Sequence, residues 1–213
     1  MGYKIVDLTN HFYDVPEVAP RKMMLRYVNG DWDFNVVRYL NETIRVMETS
    51  DYDAWENAKH KLDYWKYLFL LAKGEKDDAF YHLKKSYEEQ GPDATAQYAY
   101  FCYTGQGVTN IVNRNKAKKL FDYALSRDSM FAEYLYAEAL MYKNENDLEQ
   151  IKAAIPYYEV ALKKGVLFAR YKLANCYLKA GVKLDKAIKL FEKCEEPDAK
   201  RKIEQAKKLK NTR

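Results

Sequence analysis

Apolar positions along the chain recur in two interleaved series. Ala58, Ala94, Ala132 and Ala169 each stand four residues before a large apolar side chain: Leu62, Tyr98, Tyr136 and Leu173. In the last three copies a second alanine follows at once (Ala99, Ala137, Ala174), and the spacings are 36, 38 and 37 residues. The second series, Ala79, Ala117, Ala154 and Ala187, has spacings of 38, 37 and 33 and leads into Leu120-Phe121, Tyr157-Tyr158 and Leu190-Phe191, with only Leu83 in the first copy. Side chains four and eight apart share one face of a helix. Each unit is therefore predicted to be two helices, about four turns each, with a short connection. The alanines let two helix axes approach, and the large residue one turn later fills the groove beside them.

The breakers agree with this register. Gly74, the GQG at 105–107 and Gly181 fall where the first helix of a unit should stop, and Gly91-Pro92 and Gly165 fall between units. Asp77, Asn115 and Asp185 stand where the second helices begin and are expected to cap them. Pro156 falls in the first turn of its helix by the same register, where a missing N–H costs little. Residues 1–50 do not follow the repeat. Trp32, Phe34, Val37, Leu40, Ile44 and Met47 form a rough helical stripe with Asp31 as its candidate cap, and residues 1–30, irregular with Pro16 and Pro20, read as an extended arm or short turns packed on the first unit. At the other end, Ala199, Ile203, Ala206 and Leu209 mark a last helix with a basic outer face, as the capping element of a stacked array requires. The expected organisation is an arm and helix over 1–50, a helical repeat domain over 51–198 and a basic cap helix over 199–213.

Composition narrows the picture. The chain has 213 residues, 48% of them apolar and 31% charged, with 8 Gly and 5 Pro, which suits long helices and not an all-β chain of tight turns. The net charge of +5 is uneven: residues 200–213 hold seven cations and one acid, net +6, which leaves −1 for the rest. A broad phosphate-binding face would need its cations on the body. Cys102, Cys176 and Cys194 are odd in number and widely spaced, and His11, His60 and His82 have no ligand spacing, so no disulfide framework, metal or cofactor is expected. The first residues carry acids and no apolar run, and the longest such run, LFLLA at 68–72, is too short for a bilayer. A cytoplasmic protein with no membrane partner is expected.

Residues 94–128 resemble a Sel-one-like repeat, a relative of the tetratricopeptide repeat. The family unit runs Ala, three residues, Leu-Gly, two residues, Tyr, then GxGV, a variable acid, Lys-Ala and an aromatic pair. This chain reads ATAQYAYFCYTGQGV and then NKAKKLFDYALSRD. Gly105, Gly107, Val108, Lys116, Ala117, Leu120, Phe121 and Ala124 match. The fourth unit matches through Tyr177, Gly181-Val182, Asp185, Lys186-Ala187, Leu190 and Phe191, whereas the third has KNEND in place of the glycine loop. The departures are Ala99, Ala137 and Ala174, where the family most often has Gly. The resemblance covers about residues 54–198. It implies a right-handed α-α superhelix of about four helix pairs, a fold that binds proteins or peptides, often as an adaptor, and it implies no catalytic residues.

Catalytic motifs are lacking. The GQG has no third glycine and no preceding strand, so it reads as a helix-to-helix connection and not a dinucleotide loop. The acid pairs Asp77-Asp78, Glu88-Glu89 and Glu195-Glu196 sit at helix ends in water, where nothing splits their pKa values. Cys176 and Cys194 have no histidine in sequence context and read as small core residues.

The unusual residue is tyrosine, with 20 copies. Rotating each first helix away from its alanine face gives three lines: Tyr64, Tyr100, Glu138, Asn175; then Tyr67, Tyr103, Met141, Leu178; then His60, Ala96, Tyr134, Tyr171. In a superhelix the first helices line the concave side. Two readings stay open at this point. The tyrosines either pack between units or form a ridge offering large contact area at low entropy cost. On the second reading Tyr64, Tyr67, Tyr100, Tyr103, Tyr134, Tyr171 and Met141 supply contact, and Glu138, Lys172 and Asn175 supply polar selection for a peptide or helix of a partner protein. The expected function is a non-catalytic interaction module. The alternatives are nucleic-acid binding through the basic tail and a self-assembling structural subunit.

Overall fold

The computed structural model describes residues 59–107, 111–127 and 129–212, together with Asn29 and Arg45. Apart from those two, the described residues belong to the second of two units, Lys59–Arg213. The arm and helix expected over 1–50, and Ala58 at the head of the rhythm, lie outside the described residues.

Among the described residues every regular element is an α-helix. In chain order these are α1 (Lys59–Lys73), α2 (Lys76–Glu88), α3 (Pro92–Thr104), α4 (Arg114–Leu125), α5 (Ala132–Met141), α6 (Leu148–Lys163), α7 (Ala169–Ala180), α8 (Leu184–Phe191) and α9 (Ala199–Asn211). Packing is strongest within three consecutive pairs, α1 with α2, α3 with α4 and α5 with α6; α7 packs both on α6 and on α8. The alanine rhythm explains why. Ala94, Ala132 and Ala169, their followers Ala99, Ala137 and Ala174, and the second series Ala79, Ala117, Ala154 and Ala187 are all 0% exposed. Small side chains meet at those points and the backbones close on one another. In each large pair the second member fills the core. Phe121, Tyr158 and Phe191 are buried, as is Leu83, while Leu120, Tyr157 and Leu190 are half-buried. Full burial of one such side chain contributes about 1.5–3 kcal/mol. Tyr98 and Tyr136 remain half-buried; Tyr98 stacks on Tyr87 at 4.2 Å between centroids, and Tyr136 lies tilted against Phe121 at 4.7 Å.

The helix starts correct the expected caps. Asp77, Asn115 and Asp185 each occupy the second helical position, and the capping residues lie two positions earlier, at Glu75, Asn113 and Lys183. Of these three, Asn113 alone caps through its side chain, accepting from Lys116 N at 2.9 Å. Asp77 and Asp185 act on the positive end of the helix dipole as first-turn acids.

The place of Pro156 is also corrected. Asp147 accepts from Glu149 N at 2.9 Å and Gln150 N at 3.2 Å, and Ile151 is buried, so α6 starts at Leu148 and Pro156 falls in its interior. The proline deprives the Lys152 carbonyl of its intrahelical donor. Both residues are on the exposed side of α6, where water can supply one. Replacing Asp147 by Ala is expected to lower stability by about 1 kcal/mol, read as a lower urea midpoint at unchanged slope.

Units are joined unequally. α3 packs directly on α5, held by a tie at the α5 entry. Asp93 Oδ1, in the first turn of α3, accepts from Ser129 Oγ and Met130 N at 2.6 Å each and from Phe131 N at 3.2 Å. Ser129 Oγ in turn accepts from Ala132 N at 2.9 Å. Lys164 Nζ completes the tie, donating to Ser129 O at 2.9 Å and to Glu133 at 2.7 Å. The next junction is different. α6 packs along α7, while α5 and α7 make few close backbone approaches. Side chains bridge that opening: Lys172 Nζ meets Glu138 at 3.1 Å, and Tyr134 stands edge-on to Phe168 at 4.4 Å between centroids.

Candidate functional site

The opening between α5 and α7 is a cleft of about 490 Å³. Its lining includes Tyr100 from α3, Glu138 and Met141 from α5, and Tyr171, Lys172 and Asn175 from α7. Six of the ten residues expected at the site thus come together from three repeat units. Tyr100, Glu138 and Asn175 converge because each lies six residues past the first alanine of its unit, turned away from the buried alanine face, and Met141, Tyr171 and Lys172 lie about one turn from them on the same helices.

The other four are elsewhere. Tyr64 and Tyr67 are 2% exposed, packed on each other at 5.6 Å between centroids, with Tyr64 also against Phe131 at 6.1 Å. They are core side chains, so the ridge does not extend through them. Burial raises the pKa of both phenols. Tyr134 is a junction residue, edge-on to Phe168, and its phenol is raised chiefly by burial. Tyr103 lies outside the cleft lining, half-buried, with the Arg114 guanidinium 5.2 Å from its ring centre. The third line is broken as well, because Ala96 is buried.

Within the cleft, polar groups are held in two clusters. In the first, Glu138 accepts from Tyr158 Oη at 2.5 Å and from Lys172 Nζ at 3.1 Å. Burial, and next the Glu138 charge, raise the Tyr158 phenol far above its ordinary value, so it stays a neutral donor. Tyr100 is raised by burial, then by Glu138 and Tyr142. In the second cluster, Lys202 of α9 reaches back to Tyr171 Oη at 2.6 Å, Asn175 Oδ1 at 2.5 Å and Asp198 at 3.2 Å, with its Nζ 4.4 Å from the Tyr171 ring centre. Tyr171 donates to Asp198, and that bond is the first cause holding the Asp198 carboxyl below its usual range. Asn175 also donates to Tyr171 O at 2.9 Å, so both ends of its amide are engaged.

Seven lining residues lie beyond the ten expected from the sequence: Tyr142, Lys143, Glu145, Tyr158, Cys176, Lys179 and Lys202. Lys179 is within reach of the helical-face reasoning, being one turn beyond Asn175 on the same face. Tyr158 belongs to the core by its position in an aromatic pair. Its ring is there, but its hydroxyl reaches the cleft, and periodicity reports the ring alone. Lys202 belongs by pattern to the outer charge of α9, and only the docking of α9 on α8 and α7 turns it inward.

Cys176 lines the cleft, but burial pushes its thiol up to about 11, opposed by Lys179 and Lys172 and aided by Glu138, so at neutral pH it is the unreactive thiol form. Among the described residues no group of His, Cys, Asp and Glu could hold a metal ion, and no helix is long and apolar enough to cross a membrane. The basic tail is largely engaged: Arg201 with Asp198, Lys207 with Glu204, Lys210 with Asp185 and Lys202 in the cleft, which leaves Lys200 and Lys208 as exposed tail cations without an ion pair among the described residues. Comparison of the chain with protein-family models, curated proteins and solved structures returns no match.

Proposed function

We propose that the chain is a cytoplasmic, non-catalytic adaptor of the Sel-one-like kind, a right-handed superhelix of helix pairs. Its cleft between α5 and α7 would hold a segment of a partner protein. The observation that carries the reading is the convergence of Tyr100, Glu138, Met141, Tyr171, Lys172 and Asn175 from three repeats on one cleft. A volume of about 490 Å³ takes a few side chains of an extended segment and falls in the range, about 300–1,000 Å³, of sites that bury most of a small ligand. Tyrosine and methionine there offer adaptable apolar contact, and the Glu138–Lys172 pair offers polar registration.

The test is selection of a random displayed peptide library on the full chain, with Tyr100→Ala/Met141→Ala as the counter-screen. Selected peptides are expected to lose about tenfold or more in affinity on the double variant, which should melt no more than about 6 °C lower, since both side chains are half-buried and do not fill the core. Peptides that bind both forms equally, or a library that yields none, would defeat the proposal.

A further inference from the structure

Charge compensation in the cleft is uneven. Lys172 is held by Glu138, and Lys202 by Asp198. Lys143 and Lys179 line the same cleft, and among the described residues neither has an ion pair; Glu145 of the same lining has none either, so the unpaired charge of the lining is net positive by one. Lys179 Nζ is bound by neutral oxygens alone, Glu145 O at 2.6 Å and Asn146 Oδ1 at 3.3 Å, which places its charge beside the 142–147 turn. Lys143 belongs to that turn and has its Nζ 5.2 Å from the Tyr142 ring centre. Its backbone has φ +60, in the left-handed region that glycine occupies without penalty. Two other non-glycine residues share that conformation, but they are tied: Lys183 pairs with Glu159 at 2.6 Å, and the Gln90 carbonyl accepts from Tyr123 Oη at 3.0 Å. Lys143 carries the strain with no such bond. This is also the connection where the chain has KNEND in place of the glycine loop of its second and fourth units.

We infer that Lys143 and Lys179 form an anion-holding rim, and that the cleft takes an acidic segment of a partner protein. Carboxylate side chains of that segment meet the two ammonium groups, and an apolar or aromatic neighbour rests on Met141 and Tyr100. The inference rests on the docking function proposed above and adds the chemistry of the occupant. Two cations without carboxylate partners at the edge of a cleft favour an anionic ligand and disfavour a basic one. A side-chain carboxylate is enough, so a free chain terminus is not required.

The test uses fluorescence anisotropy on the full chain with two blocked, labelled peptides. In one, Glu alternates with Phe and Leu; in the other, Lys replaces each Glu. The acidic peptide is expected to bind and to weaken with added salt, and the basic one to bind at least about tenfold more weakly. Lys179→Ala and Lys143→Gly are each expected to weaken the acidic peptide about threefold to fivefold, and together about tenfold or more. Lys143→Gly should melt at or above the wild-type temperature, because glycine relieves the backbone at that position, so its loss of binding cannot come from unfolding. Equal binding of the two peptides, no binding of either, or wild-type affinity in the double variant would overturn the inference. So would displacement of the acidic peptide by single-stranded polyuridylate in a manner that depends on these two lysines, since the site would then belong to nucleic acid. If the library selection succeeds through Tyr100 and Met141 with peptides that lack Asp and Glu, the rim fails and the docking function stands. If it yields no peptide, both fail.

Discussion

Replacing Asp93 by Ala is expected to lower the unfolding free energy by about 3 kcal/mol. The residue belongs to α3, but its carboxylate serves the start of α5 in the next unit, accepting from Ser129 Oγ, Met130 N and Phe131 N. It ties down, from another unit, the turn that leads into α5. An ordinary cap is worth about 1 kcal/mol, and a hydrogen bond to a charged group about 1.5–3 kcal/mol. Ser129 and Met130 are buried, so removal of the acceptor strands donors away from water, which is the costly direction. Urea denaturation should report the loss as a lower midpoint, and Asp78→Ala, on the exposed side of α2, should change stability by less than about 0.5 kcal/mol. Asp93→Asn should recover part of the difference, since the amide oxygen keeps one acceptor in place. Equal midpoints for the Asp93 and Asp78 variants would mean that the α3–α5 junction does not depend on this tie.

That tie also marks the limit of what the sequence discloses. The helices and their pairing are legible because alanine at a fixed interval has a single physical use here, and the ten alanines of the two series that fall among the described residues are fully buried. Helix starts are less legible. The three expected caps among the described residues lie two residues late; for Asp77 and Asp185 the reason is that an acid in the first turn and an acid at the cap are both favoured by the helix dipole, and only backbone geometry tells them apart. Asp93 is unreadable for a further reason. Its partners are 36 to 38 residues away, and no local pattern announces a tie donated by another unit.

The site is legible in part for the same reason. A helical-face argument finds Tyr100, Glu138, Met141, Tyr171, Lys172 and Asn175, because three of them hold one register position and the others lie about one turn from it. It overextends to Tyr64 and Tyr67, which share that register but are buried in the core. It misses Lys143 and Lys202 because one sits in a turn and the other on the cap helix, and neither obeys the repeat. The junction where α5 and α7 separate is itself irregular, and a period cannot foretell its own interruption.

The second large effect is expected at Gly107, where substitution by Ala should cost about 3 kcal/mol. Two contributions add. The backbone has φ +64, which an L-residue adopts at a cost of about 1–2 kcal/mol. A Cβ there would also lie 2.7–2.8 Å from three carbons of the Phe101 ring. That ring is buried and set edge-on to Phe80 at 6.1 Å and to Tyr100 at 6.2 Å between centroids, so it cannot swing aside as an exposed side chain would. Overpacking of this kind costs about 1–3 kcal/mol. Two other glycines separate the contributions. Gly74 has φ +85, and a methyl group placed on it would have nothing within 4 Å, so Gly74→Ala should carry the backbone cost alone. Gly105 has φ +70 and would meet Val112 Cγ2 at 2.9 Å, but Val112 is exposed and can rotate, so Gly105→Ala should fall close to Gly74→Ala. The decisive comparison is Gly107→Ala with Gly107→Ala/Phe101→Leu, measured against Phe101→Leu. A favourable coupling of about 1–2 kcal/mol in the double variant assigns the excess to the ring. Because Phe101 adjoins Tyr100 in α3, the single variant should also weaken any peptide selected on the cleft, whereas Gly74→Ala, at a connection remote from it in sequence, should not. If Gly107→Ala proves no worse than Gly74→Ala, Phe101 is not packed under the GQG connection, and the placement of Tyr100 at the cleft loses its support.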